Sequence, residues 1–365
     1  MRVKVVALKP GLQRIRGMAL ILAALTLAMA FSPLLCLPVA LLMPLLACPI
    51  WRDGRLRWAA LASAAAPAVL AFFHGCQWPY ALGLALPGGL TLAVTHAVRT
   101  PAQMAKQRTI AWYVAAYAAA LLGALTGAAQ ALGGSLPEGL ANAVAQWVMA
   151  DEQPGWTLYR LAGLGLLNVP QTGNVSALSL LLDAALIHQM LLSLRLTVSD
   201  LVWLYLPLLY VKCSLLGGLF CALRVRKLNA SFLVVRQNQT SARAPQTCVA
   251  EPPGFGLLAL PRALHGLLLA MGAASLVLLG TEAQLSRMLG VLFYATFTET
   301  YQILGAAVAV GALSLRSPDK KILYGIGVAA VYVLAPVVLF FIGLLDRAMR
   351  FRARFVRHAD HHKEE

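Results

Sequence analysis

The chain has 365 residues, 60% hydrophobic and only 12% charged, with a mean hydropathy of +0.73. A soluble domain carries about 25% charged residues, so lipid is the expected solvent for most of this sequence, and no stretch reads as a separate soluble domain. The formal charge of +16 implies no nucleic acid, because twenty-six of the thirty Lys and Arg residues fall into six clusters beside long apolar runs.

Those clusters are 2–16, 52–57, 99–108, 224–262, 316–321 and 347–363. Cytoplasmic loops of polytopic proteins carry an excess of Lys and Arg, so the clusters indicate the threading as well as the class. The expected fold is all-α: a polytopic transmembrane helix bundle with eight spans. A further C-terminal run is read either as a span or as a re-entrant hairpin. Residues 1–365 form a single integral membrane domain of a cell membrane, multi-pass, with the N-terminus cytoplasmic.

Arg2, Lys4, Lys9, Arg14 and Arg16 precede an apolar run, which imitates a signal peptide. The run continues from Gly17 to Ile50 without a small-residue cleavage site, so it is read as an anchor. A span needs roughly 20 apolar residues. Thirty-four are too many for one span and few for two. Pro33 disfavours helix at Ser32, which predicts a hairpin with 17–31 leading out and 34–50 leading back. The basic turn Trp51–Arg57 lies inside. Segment 58–73 leads out and 81–98 back, joined by His74–Tyr80 with aromatic residues at interface depth. Segment 109–130 leads out and is rich in Ala and Gly, which let helices approach closely in lipid. Pro87-Gly88-Gly89 is read as close packing rather than phosphate binding.

Residues 131–200 carry only Arg160 and Arg195 as Lys or Arg, and are read as an extracytoplasmic segment. Leu140, Val144, Trp147 and Val148 recur at helical spacing, predicting a short surface helix. Segment 176–196 is apolar, yet contains Asp183, His188 and Gln189. If it crossed, the basic cluster after Cys221 would fall outside, so it is read as an outer helix or lid. Segment 201–223 crosses inward, and 224–258 is a polar cytoplasmic loop. Segment 263–280 leads out, with Pro261 suited to a helix start, and 289–315 returns. The last run, 322–345, is interrupted by Pro336. A single crossing there would place the basic tail outside, whereas a hairpin bent near Pro336 would keep it inside.

An ionisable side chain at bilayer depth costs about 2.5–3.5 kcal/mol on insertion scales. Two stand out: Lys212 in the middle of 201–223, and Glu299 near the middle of 289–315. Glu299 lies in a polar belt with Thr296, Thr298, Thr300, Tyr301 and Gln302. Helical spacing is taken to put Thr296 and Thr300 on its face. The substrate-binding set expected is Glu299, Lys212, Thr296, Thr300 and Gln302, lining an intramembrane polar cavity for a small solute. The competing reading is a structural ion pair, or a Lys stem snorkelling to the interface.

No catalytic constellation appears: there is no Walker motif, no GxSxG elbow and no HExxH. The chain is therefore not expected to be an enzyme. Six cysteines form no CxxC pair, and four lie in apolar runs as packing residues. No His, Cys and carboxylate spacing matches a metal geometry, and no cofactor is implied. The Arg-rich tail is read as topology charge.

The layout resembles that of the YybS-like family of bacterial membrane proteins. The closest stretches are Leu289–Arg316 and Gly343-Leu-Leu-Asp346, the latter followed by aromatic and Arg residues through Arg352. Arg350 departs from that pattern, standing where an aromatic or acidic residue is expected. The family is distantly similar to the substrate-binding subunits of energy-coupling-factor transporters and to the rod-shape protein MreD. These resemblances imply two functions. One is a transport-related protein whose partners are membrane lipids and an ATPase supplied in trans. The other is a non-catalytic cell-envelope scaffold that binds partner membrane proteins.

Overall fold

In lipid, every backbone N–H and C=O must be satisfied within the protein, and a helix does this within one segment. A computed structural model describes residues 8–32, 35–53, 56–98, 107–165, 167, 183–240, 255, 258, 260–316, 321–349 and 351. The described residues form twelve α-helices and no strand. They are α1 (Leu8–Phe31), α2 (Cys36–Asp53), α3 (Arg57–Phe73), α4 (Trp78–Ala97), α5 (Gln107–Ala131), α6 (Leu136–Met149), α7 (Pro154–Gly163), α8 (Ala184–Thr240), α9 (Arg262–Leu279), α10 (Gln284–Arg316), α11 (Lys321–Leu334) and α12 (Pro336–Met349).

Helices α1 to α5 pack with α8 around one apolar core that includes Met29, Met43, Ile50, Leu84 and Tyr113. Helices α9 to α12 form a second group, with α10 packed against α9, α11 and α12. Helix α8 touches both groups, through α5 on one side and α10 on the other. Small residues set the closest approaches. A Cβ on Gly88 of α4 would lie 2.6 Å from the Ala64 Cβ of α3. A Cβ on Gly305 of α10 would fall on the Leu339 carbonyl of α12, and one on Gly343 of α12 would fall on the Tyr301 carbonyl. Dispersion between closely packed backbones is the attraction available when lipid offers no hydrophobic drive.

Four helical stretches are long and apolar enough to cross a membrane: Trp78–Ala97, Thr109–Ala131, Ala184–Val225 and Arg262–Leu279. The pair Leu323–Leu334 and Pro336–Asp346 passes the same test together and makes a fifth if counted as one span. This is fewer than the eight expected. Gly17–Phe31, Cys36–Trp51 and Arg57–Phe73 are apolar but hold at most 17 residues each. Such a helix rises about 25 Å, less than the roughly 30 Å hydrocarbon core. The expected crossing 289–315 lies within the 33-residue α10, whose polar belt lowers its hydropathy.

Helix α8 departs most from the sequence reading. An outer helix over 176–196, a crossing at 201–223 and a polar loop from 224 were expected as separate pieces. Instead, one helix of 57 residues runs from Ala184 to Thr240, about 85 Å long. Between 197 and 200 there is no Gly or Pro to stop it, and Pro207 is carried inside. Asp183 marks its start: Oδ1 accepts hydrogen bonds from the N–H groups of Ala185 (2.9 Å) and Leu186 (3.3 Å), as an N-cap does. The remainder of the expected loop, 241–258, lies almost wholly outside the described residues, as do 168–182.

The short helix expected around residue 140 is α6, and its apolar stripe is divided: Val148 is buried and Val144 packs beside it. Pro137, Gly139, Ala141, Ala145 and Val148 are buried, while Leu140 is 37% and Trp147 69% exposed. The small residues allow α6 to lie close to α8. Ala145 and Val148 join Leu158, Met190, Leu191 and Leu194 in a separate apolar cluster. At the C-terminal end, the break falls at Ala335, before Pro336, and the two helix axes are bent by 108°.

Candidate functional site

Lys212 of α8 and Glu299 of α10 meet where the two helix groups join. The Lys212 Nζ lies 3.1 Å from Glu299 Oε1. The hydroxyl of Tyr332, on α11, donates to Oε2 of the same carboxylate. The Lys212 ammonium also stands 5.2 Å from the Tyr332 ring centroid, within cation–π range. The two ends of the pair differ in solvation, since the Glu299 side chain is 4% exposed and that of Lys212 36%. Both carboxylate oxygens are thus engaged, and three helices are tied together through one side chain.

The rest of the polar belt points elsewhere. The Thr296 hydroxyl donates to the Leu292 carbonyl at 2.8 Å, and that of Thr300 to the Thr296 carbonyl at 2.6 Å. Thr298 likewise bonds back to the Tyr294 carbonyl at 2.8 Å. The Tyr301 hydroxyl reaches His265 Nδ1 on α9, with the rings edge to face at 5.6 Å between centroids. Successive residues on a helix are turned by about 100°. Thr300, one position after Glu299, therefore does not share its face.

Thr296 and Thr300 instead line a cavity of about 540 Å³ between the helix groups. Its other walls include Val114 of α5, Leu219 of α8, Leu268 of α9 and Ile303 of α10. The cavity is apolar apart from the two threonines, and Glu299 and Lys212 are not among the described residues that line it. Gln302 belongs to neither set. Its Oε1 is buried and has no hydrogen-bond partner among the described residues. Of the five expected site residues, the structure brings Lys212 and Glu299 into contact, places Thr296 and Thr300 in a neighbouring wall, and leaves Gln302 apart.

The sequence reading missed Tyr332. It sits in an apolar run 33 positions from Glu299, so no spacing rule links the two. The usable signal is chemical: a tyrosine hydroxyl within an apolar span needs a buried acceptor, and Glu299 is one.

Further interhelical polar contacts lie within the first group. Thr95 Oγ1 and the Tyr113 hydroxyl are 2.7 Å apart, and the Tyr210 hydroxyl donates to the Ala118 carbonyl at 3.0 Å. Among the described residues, no group of three or more His, Cys, Asp or Glu side chains is placed to hold a metal ion. No family model matches the chain, and comparisons with curated proteins and with solved structures find no match.

Proposed function

We propose that this chain is a multi-pass protein of a cell membrane, with its N-terminus cytoplasmic and eight crossings. In this reading it binds a small, largely apolar molecule where α5 and α8 meet α9 and α10, as part of a transport process. The observation that carries the proposal is the cavity of about 540 Å³ with apolar walls, a size within the roughly 300–1,000 Å³ of small-molecule sites. The cargo differs from the polar solute expected from the sequence. A strongly polar molecule would leave its groups facing leucine and valine without partners, at about 1–3 kcal/mol each on protein scales. The Thr296 and Thr300 protons are already given to main-chain carbonyls, but each oxygen can still accept. An apolar body with one or two donors is the ligand this wall favours.

Lys212, Glu299 and Tyr332 then act as an ionic latch that holds α8, α10 and α11 beside the cavity. The chain has no nucleotide-binding motif, so energy would come from an ATPase in trans, as the YybS-like resemblance implies. The scaffold reading draws on α6 and the end of α7, where Trp147 and the capping residue Leu164 are exposed. The small-residue faces at Gly88, Gly305 and Gly343 are already used inside the chain.

Thermal-shift measurements on the purified protein against matched panels of apolar and polar molecules test the proposal. At a ligand concentration of 100 Kd, binding stabilises by about 2.7 kcal/mol. Apolar ligands are expected to raise Tm in the wild type and in Glu299→Gln, but not in Thr300→Phe, where a ring fills the cavity. Shifts produced only by polar solutes and lost in Glu299→Gln would overturn it.

A further inference from the structure

A second cleft lies between α8 and α10, at the end of α10 that follows the α9–α10 turn. Its volume is about 450 Å³. One wall is Asp200, Trp203 and Leu204 of α8, which share a helix face. The other is Glu282 in the turn with Arg287, Met288 and Val291 in the first two turns of α10. The charged groups and the apolar groups are segregated along the helices. Glu282 lies in the turn, Arg287 follows in the first helical turn of α10, and Asp200 precedes Leu204 by one helical turn of α8. Leu204, Met288 and Val291 follow along α8 and α10. The turn itself begins where α9, one of the stretches able to span a membrane, ends at Leu279. The half-buried Trp203 stands between the two zones, as tryptophan does at a membrane interface.

The three charges are exposed, and none of them is in an ion pair among the described residues. One guanidinium and two carboxylates above an apolar floor complement a ligand with an anion, an ammonium and a hydrocarbon tail. Arginine's planar fork suits a phosphate. A primary ammonium has three N–H donors for carboxylates. A trimethylammonium has none, and a purely anionic headgroup would be repelled by Asp200 and Glu282.

We propose that this cleft binds a zwitterionic phospholipid whose headgroup ends in a primary ammonium, with Arg287 on the phosphate and Asp200 and Glu282 on the ammonium. The site is separate from the apolar cavity and does not depend on it.

Contact quenching of Trp203 by brominated lipids tests this on the full chain in mixed micelles. The Trp203 signal is the wild-type quench minus that of Trp203→Phe, since the chain holds seven tryptophans. Brominated phosphatidylethanolamine is expected to quench Trp203 with about ten-fold preference over the choline and glycerol lipids, as a charge-assisted hydrogen bond implies. Arg287→Gln, and separately Asp200→Asn with Glu282→Gln, should remove that preference. These residues are exposed, so the variants are expected to fold, which the Tm of each confirms. Equal quenching by the three headgroups, or a preference unchanged in both charge variants, would overturn the proposal. Displacement of the lipid by comparable concentrations of free phosphoethanolamine would also overturn it, reassigning the cleft to a water-soluble zwitterion.

Discussion

Replacing Lys212 with methionine should destabilise the protein far more than replacing Glu299 with glutamine. At 3.1 Å and an effective dielectric of about 20, the gross attraction of the pair is about 5 kcal/mol. Desolvation offsets part of this, and removing one partner of a buried pair costs about 3–5 kcal/mol because a buried charge is stranded. The asymmetry follows from solvation. Lys212→Met leaves an anion that is 4% exposed, held among the described residues by the Tyr332 hydroxyl, so a loss of about 3 kcal/mol is expected. Glu299→Gln leaves a lysine that is 36% exposed, whose stem can carry the ammonium to water, and the loss should be about 1 kcal/mol. Replacing both with apolar residues, Lys212→Met with Glu299→Leu, should recover most of the deficit, because well-packed apolar substitutes for buried pairs are often neutral. Reversible unfolding of the wild type, Lys212→Met, Glu299→Leu and the double variant in mixed micelles, read by near-ultraviolet circular dichroism, gives the four stabilities needed for a double-mutant cycle. A Lys212→Met loss below about 1 kcal/mol, the range of exposed pairs, would refute the buried-latch reasoning. So would strict additivity of the two changes.

The α10–α12 crossing makes a second prediction. Gly343→Leu puts a side chain onto the Tyr301 carbonyl and should lower stability by more than the roughly 1–3 kcal/mol usual for overpacking, read in the same assay. Asp183→Ala removes the N-cap of α8. It should reduce stability by about 1 kcal/mol and raise hydrogen exchange at 185–190 while leaving the centre of α8 unchanged. The threading predicts opposite sides for Glu152 and Lys321. In a background lacking the six native cysteines, Glu152→Cys should react with an impermeant maleimide added outside intact cells, and Lys321→Cys only after lysis. Reaction of both from one side would refute it.

The helical class and the scarcity of charge were legible along the chain, because hydropathy and the periodicity of apolar residues are local quantities. So was the abnormality of Lys212 and Glu299, since a charge in an apolar run is costly whatever surrounds it. Pro336 likewise announced the bend that the structure places at Ala335, through its missing N–H and its constraint on the preceding residue. What charge placement alone could not reveal is continuity. It divided 176–240 into lid, span and loop, whereas neither 197–200 nor 224–240 holds a Gly or Pro, and α8 runs on to Thr240.

Direction was decided only by tertiary structure. The polar belt of α10 looks like one site in sequence, yet Glu299 turns to α8 and α11, Tyr301 to α9, and Thr296 and Thr300 to the apolar cavity. A helix distributes adjacent residues around its axis, and which neighbour occupies each direction depends on packing between segments far apart in sequence. The same reason hid Tyr332 and divided the apolar stripe of α6, where Val148 is buried with Ala145 against α8 while Trp147 stays exposed. Composition along the chain determined its class of solvent and its unusual charges. The meeting of those charges, and the apolar character of the space beside them, were set by contacts between helices, which no single segment encodes.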